Sequence, residues 1–125
     1  MHRLTLFAFA TLLPVQVTDQ SRINGQLWIT VPDGTKAAYS AGWMAGFAAA
    51  SYSFLPGKTT DAERPSVARE MQRINKCIDP MTAGQVQAII DKYVQANPEL
   101  WQEDISNLTL RAVRRACDAL GPRSD

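Results

Sequence analysis

TAGQVQAIIDKYVQANP, residues 82–98, contains the start, one apolar face and the end of a helix. Thr82 and Gln85 have the spacing of a capping box, in which each side chain accepts a hydrogen bond from the other residue's backbone N–H. Asn97 and Pro98 end this helix and are predicted to begin the next one, as its N-cap and first residue. The apolar side chains recur at i, i+3, i+4, i+7 and i+8, on one helical face, and they are Val86, Ile89, Ile90, Tyr93 and Val94.

A last helix is predicted to follow, from Pro98 to about Leu120, where Gly121-Pro122 ends it. Its apolar stripe is Trp101, Ile105, Leu108, Ala112, Ala116 and Leu120. A shorter helix precedes residue 82 and ends near Cys77, because the Asp79-Pro80 pair disfavours its continuation. Its apolar residues, at i, i+4 and i+7, are Val67, Met71 and Ile74.

Residues 35–54 are rich in alanine and are predicted to form another helix. No charged residue lies between Lys36 and Lys58, and a helix that is apolar all round usually lies in the centre of its fold. Gly42 and Gly46 share a face, which would let a neighbouring backbone come close. A membrane span is the alternative, but the segment has few of the large aliphatic side chains that favour hydrocarbon.

Residues 18–34 are predicted to be a lead-in, either irregular or with one short strand. They are polar apart from the island Leu27-Trp28-Ile29, and Pro32-Asp33-Gly34 indicates a turn. No alternation typical of strands follows residue 35. The sequence therefore predicts an all-α fold, a small bundle of about four helices over residues 35–120 with one disulfide.

Residues 1–17 have the pattern of a signal peptide. His2 and Arg3 are basic, and the mostly apolar run from Leu4 to Val17 is too short to span a bilayer, which needs about 20 apolar residues. The pattern predicts a periplasmic or secreted protein with no membrane span after removal of the signal peptide. The alternatives are that these residues form the first strand or helix of a cytosolic domain, or that the start codon is misassigned.

Cys77 and Cys117 are the two cysteines of the chain. Two cysteines in an exported chain usually pair. Closing a loop of about 40 residues would stabilise the fold by about 4 kcal/mol in the loop-entropy model. A reactive thiol at Cys117, activated by the nearby Arg114 and Arg115, is the alternative, but Cys117 lies beside the apolar stripe.

The composition excludes several classes of chemistry. The formal net charge of +1 gives no bulk attraction to nucleic acid. His2, in the signal peptide, is the only histidine, so the mature chain has none for a Ser-His-Asp triad, a Cys-His dyad or a His-ligated zinc. With no glycine-rich phosphate loop either, the prediction is a protein that is not an enzyme, with no cofactor, no metal site and no catalytic residues.

A specific pattern runs through CIDPMTAGQ, residues 77–85, and YVQANPEL, residues 93–100. The pattern consists of Cys, Pro, Thr-x-x-Gln, Tyr, Asn-Pro-Glu and then a helix ending in Cys. It resembles the pattern of the Rap/Tai family of immunity proteins. Tyr39-x-x-Gly42 is similar to the family's earlier helix, but no cysteine accompanies Tyr39 here. The resemblance covers about residues 35–119. It implies a small periplasmic helical protein that neutralises a peptidoglycan amidase delivered by type VI secretion, and it allows a homodimer.

Four sets of residues have a functional and a structural interpretation. Trp43, Met44 and Phe47 are a candidate partner patch, with the core of the alanine-rich helix as the alternative. The loop from Leu55 to Pro65 is a candidate contact surface, because it is long for a bundle. One charged set, made of Arg111, Arg114 and Arg115, is a candidate for binding an acidic partner. A second, made of Asp91, Glu99, Glu103 and Asp104, is a candidate for acid–base chemistry. For both sets the alternative is a solvated helix surface.

Three functions follow in order of preference. The first is a periplasmic protein-binding module that covers an enzyme's cleft, with no chemistry of its own. The second is a structural or stress-related envelope protein without a dedicated enzyme target. The third is a hydrolase that uses carboxylates alone.

Overall fold

A computed structural model describes residues 22–52 and 64–121, and over these ranges the chain is helical with no strand. The helices are α1 (Gly25–Thr30), α2 (Asp33–Tyr52), α3 (Arg64–Ile78), α4 (Ala83–Ala96) and α5 (Ile105–Ala119), with a 3-10 turn at Pro98–Leu100. The all-α bundle is confirmed. Residues 1–17, the predicted signal peptide, lie outside the described ranges. None of the described helices is long and apolar enough to cross a membrane.

α4 lies at the centre of the bundle, because α2 and α5 both pack against it. Its capping box is confirmed: the Gln85 N–H donates to Thr82 Oγ1 at 3.2 Å and the Thr82 N–H donates to Gln85 Oε1 at 2.8 Å. The fully buried core around α4 consists of Trp28, Ile74, Ile78, Val86, Ile90, Val94, Ile105, Leu108, Ala112, Val113 and Cys117.

The alanine-rich helix α2 is peripheral, so the prediction that it lies in the centre of the fold is wrong. Within α2 the buried residues are Lys36, Ser40 and Ser51. Beyond the helix's own backbone, no heavy atom of the described residues lies within 4 Å of a Cβ built on Gly42 or Gly46. Alanine buries little apolar area, so the larger Val and Ile side chains of α4 take the central position instead. The many alanines of α2 therefore reflect helix propensity rather than burial.

The lead-in contains a helix, α1, where we expected irregular chain or a strand. The Asn24 side chain caps it by accepting the Leu27 N–H at 2.8 Å. The helix divides the apolar island: Trp28 is 1% exposed, whereas Leu27 and Ile29 are 48% and 40% exposed. A run of three apolar residues is too short to show helical periodicity, which is why the sequence left this segment undecided.

The last helix begins at Ile105 and not at Pro98, which corrects its predicted start. Asn97 and Pro98 begin the 3-10 turn rather than the last helix, and the Asn97 side chain makes no N-cap hydrogen bond, because its amide donates back to the Tyr93 carbonyl at 2.7 Å. Asp104 is the N-cap of α5, accepting the Ser106 N–H at 2.8 Å. The end of α5 is also less buried than the predicted stripe implied, since Leu120 is 65% exposed.

The helix start is displaced because residues 101–105 bond to the lead-in. The Gly25 N–H donates to the Glu103 carbonyl at 3.1 Å, and the Ile105 N–H donates to the Ile23 carbonyl at 2.8 Å. Gly25 is required at this crossing, because a Cβ there would lie 2.8 Å from Leu108 Cδ1 and 3.0 Å from Trp101 Cα. These long-range hydrogen bonds satisfy backbone N–H and C=O groups that would be bonded within the helix if α5 were continuous from Pro98.

Cys77 and Cys117 form a disulfide with their Cα atoms 6.0 Å apart, which confirms the predicted bridge. The bridge joins the C-terminal turn of α3 to that of α5. The two cysteines are 40 residues apart in the sequence, and the segment between them contains the whole of α4. With both sulfurs bonded to each other, the reactive-thiol interpretation does not apply to this structure.

Candidate functional site

A charged cluster lies at the junction of α1, α2 and α4. Lys36 Nζ lies 3.0 Å from Asp91 Oδ1, and its side chain is 9% exposed. Trp28 Nε1 donates to the same carboxylate oxygen at 2.8 Å. The Lys36 ammonium also lies 5.4 Å from the centroid of the Trp28 ring, within cation–π range. One acceptor therefore satisfies both buried donors.

Asp91 was interpreted from the sequence as a helix-surface charge, and the structure assigns it a buried partner instead. Asp91 is 26% exposed at its side chain and binds Lys36, which is 55 residues earlier. The sequence carried one signal of this contact: the indole N–H of Trp28, in an apolar island, needs an acceptor when it is buried.

A second polar contact connects α2 with α5. The Tyr39 hydroxyl lies 3.2 Å from Thr109 Oγ1, and the Thr109 hydroxyl donates to the Ile105 carbonyl at 2.8 Å. Burial raises the pKa of Tyr39 above its ordinary value. The Tyr39 ring packs edge-on against Trp28, with centroids 5.2 Å apart.

Three of the four candidate carboxylates are engaged by other groups, and the fourth, Glu99, is exposed in the 3-10 turn. Asp91 binds Lys36, Glu103 pairs with Arg111 at 3.2 Å, and Asp104 caps α5. Hydrogen bonds from Ser106 lower the pKa of Asp104. Within the described ranges, no group of three His, Cys, Asp or Glu residues could hold a metal ion.

The three arginines of α5 differ in their ion-pair partners. Arg111 pairs with Glu103, and Arg114 Nε lies 3.0 Å from Glu70 Oε1. A hydrogen bond from Arg73 lowers the pKa of Glu70. These are exposed pairs, which contribute little to stability. Arg115 has no ion-pair partner within the part of the chain that the structure describes.

Two grooves flank α5. The first, of about 390 Å³, lies between α2, α3 and α5, and its apolar lining residues are Phe47, Val67, Met71, Ile74 and Leu110. The Glu70–Arg114 ion pair also lines this groove, so the two charges there compensate each other.

The candidate patch Trp43, Met44 and Phe47 lies beside this first groove. All three side chains are half-buried and pack against the core, as the structural interpretation expected. Trp43 stacks on Phe47 with ring centroids 5.1 Å apart. Phe47 in addition lines the groove, so this part of the patch is open to a partner.

The second groove, of about 340 Å³, lies between α4 and α5. We call it the α4–α5 groove and define it by Ile89, Lys92, Tyr93, Ala112, Arg115 and Ala116. Its floor is made by small and apolar side chains, and its two charged lining residues are both cations.

The candidate contact loop from Leu55 to Pro65 lies largely outside the described residues, and its last two residues belong to α3. It stays a prediction. Comparison of the chain with protein-family models, with curated proteins and with solved structures finds no match. The Rap/Tai resemblance therefore depends on the motif residues alone.

Proposed function

We propose that this protein is an exported, periplasmic binding module similar to the immunity proteins that neutralise peptidoglycan amidases. It would act by covering the cleft of a secreted amidase and would carry out no reaction itself. The observation that carries this proposal is the bridge between Cys77 and Cys117. Disulfides persist in oxidising compartments such as the periplasm and are rare in the cytosol.

The roles of the motif residues support the same function. The cysteines bridge α3 and α5, and Thr82 and Gln85 cap α4. Asn97 closes the end of α4 through its bond to the Tyr93 carbonyl. The motif thus maintains a rigid scaffold, and a rigid scaffold is what a binding protein needs to present a surface with little loss of conformational entropy.

The surface supports binding by shape and charge. Both grooves beside α5 are mostly apolar and open at the surface, and pockets lined in this way are common sites of recognition. Of the candidate carboxylates, Asp91 and Glu103 are held in ion pairs and Asp104 caps a helix. This arrangement favours a contact surface over the hydrolase that uses carboxylates alone.

The first test determines the compartment and the redox state together. The full chain is produced with its own N-terminal segment, and the envelope fraction is alkylated without reduction before its intact mass is measured. We expect a mass that lacks the N-terminal segment, with Cys77 and Cys117 unlabelled. A full-length mass with two labels would place the protein in a reducing compartment and contradict the proposal.

The second test addresses the partner. A peptidoglycan amidase of the class delivered by type VI secretion is targeted to the periplasm and co-produced with the protein, and cell lysis is followed. We expect protection by the exported protein and none by a matched version lacking residues 1–17. Lysis that is unaffected by the exported protein, together with no complex in size-exclusion chromatography, would favour the structural or stress-related envelope role.

A further inference from the structure

The α4–α5 groove carries uncompensated positive charge. Lys92 on α4 and Arg115 on α5 both line it, and both side chains are exposed. Neither has an ion-pair partner among the residues that the structure describes. The other two cations of α5, Arg111 and Arg114, are each paired with a carboxylate.

The acidic residues of the same two helices are all engaged away from the groove. Asp91 faces α2 through Lys36, and Asp104 caps the first turn of α5. Asp118 faces α3, where Arg73 Nη2 lies 2.9 Å from its Oδ1. Among the described residues, the charges that line the α4–α5 groove are therefore both positive, whereas those that line the first groove form an ion pair.

The floor of the α4–α5 groove leaves room for large apolar side chains. Ala112 and Ala116 follow each other at i and i+4 on α5, and Ile89 and Tyr93 do the same on α4. Small residues on one side and larger apolar ones on the other form a recess that a row of partner side chains can enter.

We propose that the α4–α5 groove docks an acidic amphipathic helix of a protein partner. The apolar face of that helix would enter the recess, while carboxylates on its flanks would pair with Lys92 and Arg115. Charge complementarity of this kind selects the partner and accelerates encounter. The inference rests on the proposed binding function and adds the chemistry of the partner segment.

The experiment uses the full mature chain with its bridge intact and two synthetic helical peptides of about 15 residues. Both peptides present the same leucine face, which is flanked by glutamate in one and by lysine in the other. Binding is followed by amide chemical shifts in ¹⁵N spectra. We expect the acidic peptide to bind at least about tenfold more tightly than its basic twin. Its shifts should be concentrated in residues 89–97 and 112–119.

The variants isolate the groove. Lys92→Glu combined with Arg115→Glu should weaken binding of the acidic peptide at least about tenfold, whereas Arg69→Glu, an exposed reversal on α3, should leave it unchanged. Ala116→Leu, which narrows the recess, should also weaken binding. Because the charge reversals lie at exposed positions, their folding can be checked by the dispersion of the same spectra.

Several outcomes would overturn the proposal. They are no binding of the acidic peptide, equal binding of both peptides, or binding that the double reversal leaves unchanged. Saturation of the groove by lauric acid without any response to the peptide would assign it to a small anionic amphiphile. Concentration-dependent shifts in the groove without peptide would assign it to a second copy. Because the peptides are used in place of the amidase, a negative peptide result does not affect the lysis-protection test of the proposed function. A negative lysis result likewise does not affect the peptide measurement.

Discussion

Lys36 and Asp91 meet across the α2–α4 interface with 3.0 Å between Nζ and Oδ1, and Trp28 donates its indole N–H to the same oxygen. The contact joins three helices through one carboxylate. It is also the ion pair that is most buried among those of the described residues, since the Lys36 side chain is 9% exposed. Removing one partner of such a pair leaves a buried charge without compensation.

We therefore predict that Asp91→Ala destabilises the fold strongly, by about 3 kcal/mol in the free energy of unfolding measured with urea. The change leaves both the Lys36 ammonium and the Trp28 N–H without their acceptor. The double variant Lys36→Met with Asp91→Ala should lose less than the sum of the two single changes, because it removes the stranded charge. Lys92→Met, the exposed neighbour, is the control and should change stability by no more than about 0.5 kcal/mol. Additive losses in the cycle would show that the pair is not coupled.

Gly25 and Gly42 give opposite predictions for the same substitution. Gly25→Ala places a Cβ 2.8 Å from Leu108 Cδ1 and 3.0 Å from the Trp101 backbone, so the α1–α5 crossing must open. We expect a loss of about 2 kcal/mol. At Gly42, in α2, an added Cβ meets no described atom within 4 Å beyond the helix's own backbone, so Gly42→Ala should stabilise by about 0.7 kcal/mol through helix propensity. Equal effects of the two variants in urea unfolding would contradict the close approach at Gly25.

The sequence predicted best where periodicity and capping act locally. The α4 face and its capping box depend on residues at most eight positions apart, so the helix, its start and its end could all be identified. The bridge could be predicted because the chain has two cysteines, so only one pairing within the chain is possible. In these cases the deciding contacts are close in the sequence or limited by composition.

Where long-range contacts decide the structure, the sequence predictions failed. Asn97-Pro98 has the pattern of a helix start, but only a 3-10 turn begins there, and bonds to Ile23 and Gly25 accompany the start of α5 at Ile105. Asp91 looked like a surface charge because its partner, Lys36, comes from another helix. The position of α2 depends on the larger side chains of α4, which take the buried centre of the bundle. The composition of α2 alone does not show this.

The bridge gives a prediction from topology alone. Cys77→Ala with Cys117→Ala should lower the free energy of unfolding by about 4 kcal/mol, because the bridge closes a loop of 40 residues in the unfolded chain. Wild-type protein unfolded in the presence of a reductant should show the same loss, and the variant should not respond to the reductant. A loss below about 1 kcal/mol in both measurements would mean that the unfolded chain gains little freedom from reduction.

Asp104 gives a prediction for acid. Hydrogen bonds from the Ser106 hydroxyl and then from its backbone N–H lower the pKa of Asp104, so its native value lies below the unfolded one. The stability that it adds is fully present above the unfolded pKa, about 3.9, and is lost as the pH falls through the lower native value. Asp104→Ala should therefore cost about 1 kcal/mol at pH 7 and progressively less below pH ~4, which flattens the acid limb of the stability profile. Ser106→Ala removes the hydroxyl bond and keeps the backbone one, so it should flatten that limb only partly. Urea midpoints collected across this range test both variants, and a loss for Asp104→Ala that stays constant with pH would mean that the cap acts without its charge.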